Sequence, residues 1–256
     1  MFFDTYTPPF DNLQVRQAFA HALDRDSIVQ NVIGAQFGIP AYSFLAPGFP
    51  DSDTDGALHQ YQQYDCEMAK GLLADAGYPD GAGFPAQELK LRGESEARAQ
   101  WFIASAASIS QCLNVEITVN NMEFSAFMEG LLARPTTVQF GAVSYGMDYL
   151  DPSNMLGVWV STGRHSWRNA SFDQLVNDAN VLVGDPAKRS EMYKEAEKTL
   201  VEDVGGVFLV HRIQGDLWQP YIAGDCFRPD KQGVGAYHWG NDWCWGTFYV
   251  TNEKPA

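Results

Sequence analysis

The sequence predicts an α/β unit: a mixed, mostly parallel sheet flanked by helices. Three observations carry that prediction. Between Glu88 and Ser144, strand-like and helix-like segments alternate as β-α-β-α-β, the order expected when right-handed crossovers lay helices on the faces of a parallel sheet. Helical segments on both sides of this block place apolar residues at helical spacing behind Asp or Ser caps. The 256 residues, 45% of them hydrophobic, suffice to bury a sizeable core, and no Pro/Gly/Ser-rich stretch is long enough to be a flexible linker.

Each element follows from local chemistry. Phe2 to Tyr6 reads as an entering strand ahead of Pro8 and Pro9. Asp11 stands at an N-cap position before Val15, Phe19, Leu23, Ile28 and Val32, a long first helix with a break near Asp24 to Ser27. The segment 34–55, with Pro40, Pro47 and Pro50, carries too many breakers for regular structure. Asp65 caps a second helix to about Ala76, where Gly77 accepts a left-handed C-cap and Pro79 follows. Glu88 to Arg92 is a strand, Ser95 opens a helix through Cys112, and Val115 to Val119 alternates as a strand. Glu123 to Leu132 is helical and Thr137 to Ser144 extended. Two amphipathic helices follow, Ser171 to Val183 and Pro186 to Glu202, the second with Asp185 as cap. Val207 to His211 is a last strand, and the segment from Gly215 onward is rich in aromatics and Gly without clear period.

Composition narrows the function. Seventeen basic against thirty-two acidic residues give a net charge of -15, which repels nucleic acid and anionic membrane surfaces. No run of eighteen apolar residues is present, and no basic-then-apolar N-terminus of the secretory kind, which taken alone points to the cytoplasm. Cys66, Cys112, Cys226 and Cys244 lack metal or redox spacing, so they read either as two disulfides in an oxidising compartment or as four buried thiols. Cys226 and Cys244 bracket one loop-rich segment, which makes them the expected disulfide, with Cys66 and Cys112 the remaining pair.

Ligand sites in parallel sheets lie beyond the carboxyl ends of strands, so Tyr145-Gly146-Met147-Asp148-Tyr149, after the strand ending at Ser144, is the segment to search for function. Asp148 suits an ammonium group; its alternative role is to cap the turn before Pro152. Tyr145 and Tyr149 face either a cleft or the core. Arg92, at another strand end, suits a bidentate carboxylate; alternatively it forms a solvated surface pair with Glu94. Catalysis lacks support: Asp51 with Asp53 is a chance acidic pair, and His238, Asp242 and Cys244 have irregular metal spacing. No P-loop, dinucleotide fingerprint or Ser-His-Asp context occurs, and no cofactor or metal is expected.

Four blocks resemble the peptide-binding family of solute-binding proteins that serve ABC importers, a family that includes dipeptide, oligopeptide and nickel binders. They are Pro8-Pro9-Phe10-Asp11-Asn12-Leu13-Gln14-Val15-Arg16-Gln17-Ala18 through Asp24-Arg25, then Tyr64-Asp65 to Lys70-Gly71-Leu72-Leu73-Ala74-Asp75-Ala76-Gly77-Tyr78, then Asp148-Tyr149-Leu150-Asp151-Pro152, and Asp185-Pro186 to Tyr193-Lys194-Glu195-Ala196-Glu197. The resemblance implies a periplasmic-binding-protein-like (type II) lobe and a binding protein rather than an enzyme. It implies that this chain is the C-terminal lobe of a longer, extracytoplasmic protein whose two lobes close on a ligand, so the argument for the cytoplasm loses its force. Residues 1–7 would be a hinge strand, 8–218 the lobe, and 219–256 an aromatic segment, Tyr237 to Trp245 at its centre, returning to the other lobe.

The resemblance also assigns roles. Asp148 takes the position that receives a peptide's α-amine; Tyr145 replaces the family's tryptophan and Met147 a small residue, changing the wall around it. The implied partners are a small solute, a peptide before an oligosaccharide or a nickel complex, and the membrane permease of an ABC importer. An uncovered lobe face would favour self-association.

Overall fold

The computed structural model describes residues 1–213, 219, 221–224 and 248–251. In chain order the principal elements are β1 (Phe2–Phe3), α1 (Leu13–His21), α2 (Arg25–Ile28), β2 (Gly38–Pro40), α3 (Cys66–Asp75), β3 (Gln87–Arg92), α4 (Glu96–Leu113), β4 (Ile117–Met122), α5 (Phe124–Leu132), β5 (Phe140–Ala142), α6 (Pro152–Leu156), α7 (Ala170–Val181), α8 (Pro186–Glu202) and β6 (Val210–Arg212). The alternating block forms a four-stranded sheet in the order β1-β5-β3-β4. The central strand β3 runs parallel to both β4 and β5, with Leu89 opposite Val119 and Leu91 opposite Ala142, while β1 closes the edge antiparallel to β5. The sheet is therefore mixed and mostly parallel, as the alternation predicts.

The caps account for most boundaries. The side chains of Asp65, Ser95 and Asp185 accept backbone N–H groups at the starts of α3, α4 and α8. Asn12, not Asp11, caps α1, because it is the residue directly before the first helical turn and accepts the Gln14 N–H. The break in the first helical stretch falls at Asp24, which accepts the Ser27 N–H, starts α2 and leads into a π-helical turn over Val29–Ile33. Asn169, formally a glycosylation sequon, is the cap of α7. β4 lies later than its alternation suggests because Asn114 ends α4 in the left-handed region, at φ 53°, so the chain reaches the sheet only at Ile117. The proline-rich segment is not wholly irregular: β2 pairs with β6, Ile39 opposite His211, and Pro40 sits at the end of this two-stranded ribbon where a missing donor costs little.

The sheet separates two apolar layers. The alternation of β1 sends Phe3 to one side, where it stacks on Phe10 and Phe140 at ring separations of 4.4 and 5.2 Å and joins the apolar faces of α1, α3 and α4. Phe2 faces the other layer, with Phe127, Trp159, Trp167 and the inward residues of α5 to α8. Gly141 makes this possible: a Cβ there would lie 2.4 Å from the Phe2 ring, so glycine lets the phenyl lie flat over the strand.

Two arginines of the first motif hold the layers together. Arg25 is fully buried and donates to the carbonyls of Phe208, Ala20, Leu23 and Gln62. Arg16 donates to Phe10, Asp203 and Val204 carbonyls and pairs with the Asp203 carboxylate at 3.1 Å. Both satisfy carbonyls that would otherwise be orphaned in the interior. A disulfide joins Cys66, at the start of α3, to Cys112, near the end of α4. The expected Cys226–Cys244 pair, the aromatic segment Tyr237 to Trp245 and the His238–Asp242–Cys244 group lie outside the described residues.

Candidate functional site

Because β3, β4 and β5 are parallel, Arg92, Met122 and Ala142 end at one edge of the sheet, and the segment Val143 to Tyr149 leaves β5 there. A short turn then enters α6. Asp151 caps it through the Ser153 N–H at 2.9 Å and also receives both Arg189 Nη groups, at 2.9 and 2.8 Å. Arg189 donates in addition to the Tyr193 hydroxyl at 3.0 Å. Burial pushes the Asp151 carboxyl upward, but the bonds from Arg189 and Ser153 outweigh it and bring the group down to about 2. The third and fourth motif blocks thus meet in one bidentate clamp that fixes the turn.

Asp148 projects from this turn and is exposed. Its backbone N–H donates to Asn154 Oδ1 at 2.8 Å, and its Oδ2 accepts from Asn154 Nδ2 at 3.2 Å and from the Tyr145 hydroxyl at 3.4 Å. The helix cap beside it is Asp151, so the carboxylate of Asp148 is oriented by neighbours without being consumed as the cap. Tyr145 is half-buried; burial first, then the nearby Asp148 charge, raise its hydroxyl above the usual range. Met147 and Tyr145 pack on the layer containing Trp159. Tyr149 is 55% exposed, with its hydroxyl 3.3 Å from Ser153 Oγ, and Leu150 is 60% exposed. Beneath Tyr145 a cavity of about 40 Å³ is lined by Val143, Phe44, Trp159 and His165.

The structure brings Tyr145, Met147, Asp148 and Tyr149 together, but Arg92 stands apart. Its guanidinium lies 5.6 Å over the exposed Phe124 ring. It does not pair with Glu94, which is buried, bonds Arg98 at 3.0 Å and exchanges backbone hydrogen bonds with the Asn121 side chain. Glu94 therefore ties the ends of β3 and β4 together. Asp53 accepts the Ala57 and Leu58 N–H groups and Asp51 the Ser190 hydroxyl, so the two form no catalytic pair. One residue escaped the sequence reading: Arg164, whose guanidinium lies 5.0 Å over the Tyr145 ring. It sits in an irregular turn with neither period nor motif to mark it. Chemically, the arrangement offers an exposed, oriented carboxylate framed by aromatic and apolar surface, suited to holding a cationic group.

Known proteins resemble this chain in sequence and in fold. The model of the bacterial extracellular solute-binding proteins, family 5 (middle region), matches residues 1–167. The periplasmic oligopeptide-binding protein OppA of Salmonella typhimurium is 30% identical over 226 residues, covering 84% of this chain and 40% of that protein. The probable deoxycholate-binding periplasmic protein YgiS of Escherichia coli is 26% identical, covering 87% of this chain and 41% of that protein. The chain thus spans about 40% of the length of these relatives. Among solved structures, the Escherichia coli murein tripeptide binding protein MppA superposes with a TM-score of 0.76 at 22% identity, over 98% of this chain and 48% of that one, and it supports the fold alone. The mixed sheet flanked by helices is a periplasmic-binding-protein-like lobe of type II, and the chain belongs to the bacterial extracellular solute-binding proteins of family 5.

Proposed function

We propose that this chain is one lobe of the substrate-binding component of an ABC importer, and that Asp148 receives the α-amine of a peptide held between two lobes. The observation that carries the reading is the oriented, exposed Asp148 carboxylate at the shared carboxyl edge of β3, β4 and β5, next to Tyr145 and Tyr149. Met147 shapes the wall beside it. Arg92, on the same sheet edge, contributes to the cleft rim. The work is binding and release by lobe closure, with no bond broken, and affinity is set by how much better the closed state holds the solute. Delivery to a membrane permease and self-association through the cleft-side face belong to the same reading. Two observations support an extracytoplasmic setting: the bonded Cys66–Cys112 pair, which persists in oxidising compartments, and relatives described as periplasmic.

The test is Asp148→Asn in the full-length protein. Losing a charge-assisted bond of about 1.5 to 3 kcal/mol weakens an amine-bearing peptide on the order of ten-fold to a hundred-fold. The N-acetylated peptide binds poorly to both proteins. Unchanged affinity for the free-amine peptide, or a lowered melting temperature with affinity kept, would remove Asp148 from the site.

A further inference from the structure

We infer that Arg164 is a second ligand contact of this site, and that together with Asp148 it selects peptides bearing an acidic side chain close to the α-amine. This rests on the reading of Asp148 as the amine acceptor.

The two charges flank one ring. Tyr145 donates its hydroxyl to Asp148 Oδ2 at 3.4 Å, and the Arg164 guanidinium lies over the face of the same ring, 5.0 Å from its centroid. Among the described residues the other strongly held arginines are spoken for. Arg16, Arg98 and Arg189 each pair with a carboxylate, and Arg25 and Arg134 each donate to backbone carbonyls. Among those residues Arg164, like Arg92 and Arg168, is found only over a ring face, and of these three it alone lies over Tyr145, the ring that bonds Asp148, in a chain that carries 32 acidic residues against 17 basic ones. A guanidinium held over an aromatic face by its charge alone spends no N–H donor on the ring, so its fork is available to a carboxylate. Asp148 does not satisfy it: no ion pair joins the two.

Arg164 is also held in place. Its N–H donates to the Val158 carbonyl at 3.1 Å, and the preceding Gly163 bonds Val160 at 2.6 Å while accepting Arg134 Nη2 at 2.6 Å. The turn is thus braced from both sides and the ordering cost on binding is small. The net charge of -15 attracts cations and repels anions in general, so a positively charged group beside the amine acceptor has a specific effect. It disfavours ligands that are simply cationic and favours those in which an amine and a carboxylate lie about one side chain apart.

The test compares three tripeptide amides, which carry no C-terminal carboxylate: Ala-Ala-Ala, Asp-Ala-Ala and Ala-Asp-Ala, titrated calorimetrically into the full-length protein. The wild type should prefer one of the acidic peptides over the neutral one by about ten-fold or more. Arg164→Gln should abolish that preference while leaving the neutral peptide within about two-fold. Arg164→Lys, which keeps the charge without the planar fork, should keep part of the preference. An equal loss for all three peptides would mean that Arg164 acts only by packing on Tyr145, and would overturn the inference. So would a wild type that does not discriminate, or a preference that survives in Arg164→Gln. If the wild type binds none of the three, the peptide reading itself fails and this inference falls with it; if it binds them and only discrimination is missing, the peptide reading stands and Arg164 alone is removed.

Discussion

Glu197, on the buried face of α8, makes the stability of this lobe depend on alkaline pH. Its Oε1 accepts the Leu45 N–H at 2.7 Å, anchoring the proline-rich segment against α8. Burial raises its carboxyl from 4.5 to about 8; hydrogen bonds from Leu45 and Phe44 oppose the rise, and the nearby Asp53 and Asp51 carboxylates add to it. Because the folded value lies above the unfolded one, the contribution is fully present below about pH 4.5 and is lost as pH rises through 8. At 1.36 kcal/mol per pH unit, the interval is worth at most about 5 kcal/mol. Glu197→Gln keeps an acceptor for Leu45 and cannot ionise. Urea unfolding followed by tryptophan fluorescence at intervals from pH 4.5 to 9.5 should therefore show the two proteins similar at the acid end and the variant more stable at the alkaline end by several kcal/mol. The histidines held below their ordinary range by burial, His21, His165 and His211, titrate in both proteins and cancel in the difference. A difference curve that stays flat over this range would refute the burial argument for Glu197.

Two further outcomes follow from the scaffold around the site. Asp151→Asn removes the ionic half of the clamp to Arg189, whose carboxyl sits at about 2; stability should fall by about 2 kcal/mol near neutral pH, and the gap to wild type should close as pH drops below 3.8 through 2, where the wild-type carboxylate is itself protonated. Melting curves from pH 2 to 7 check this, and a gap independent of pH contradicts it. Reducing Cys66–Cys112, which closes a loop with a sequence separation of 46, should cost about 4 kcal/mol of stability, and peptide mapping without reductant should recover Cys66 and Cys112 in one cross-linked fragment.

Local chemistry made much of the fold legible. The caps at Asp65, Ser95 and Asp185 and the restart at Asp24 are each set by hydrogen bonds within three residues, which a sequence displays directly. Long-range pairings are different. The β2–β6 ribbon joins residue 39 to residue 211, and neither segment alternates strongly enough to announce a partner. In the sequence Cys66 and Cys112 pair only as what remains beside Cys226 and Cys244; what brings them together is the packing of α3 on α4. Arg16 and Arg25 read as surface cations by type, and their burial becomes intelligible only when the carbonyls they satisfy are seen. The strand-end rule points to Tyr145 to Tyr149, and the structure puts this segment beyond the carboxyl end of β5. The rule offers no route to Arg164, whose turn is irregular, and it points equally to Arg92, which shares the sheet edge but lies over Phe124, apart from the Tyr145–Asp148 cluster.

The division between legible and illegible residues follows a division of labour. The motif blocks mostly place residues that build the lobe: Arg16 and Arg25 staple its layers, Asp65 caps α3, Asp151 clamps the turn to α8, and Glu197 anchors the proline-rich segment. These contacts depend on the shared fold, so the motifs identify the family whatever the cargo. Within the third block Asp148, Tyr149 and Leu150 are exposed where the chain leaves the carboxyl end of the sheet. Tyr145, Met147 and Arg164, the side chains proposed to shape and charge the cleft, lie outside the four blocks. Relatives matched over the same segment carry names as different as oligopeptide-binding and deoxycholate-binding. Cargo preference in this lobe is therefore to be sought in the residues between the motifs, and the peptide series that varies charge beside the amine addresses those residues directly.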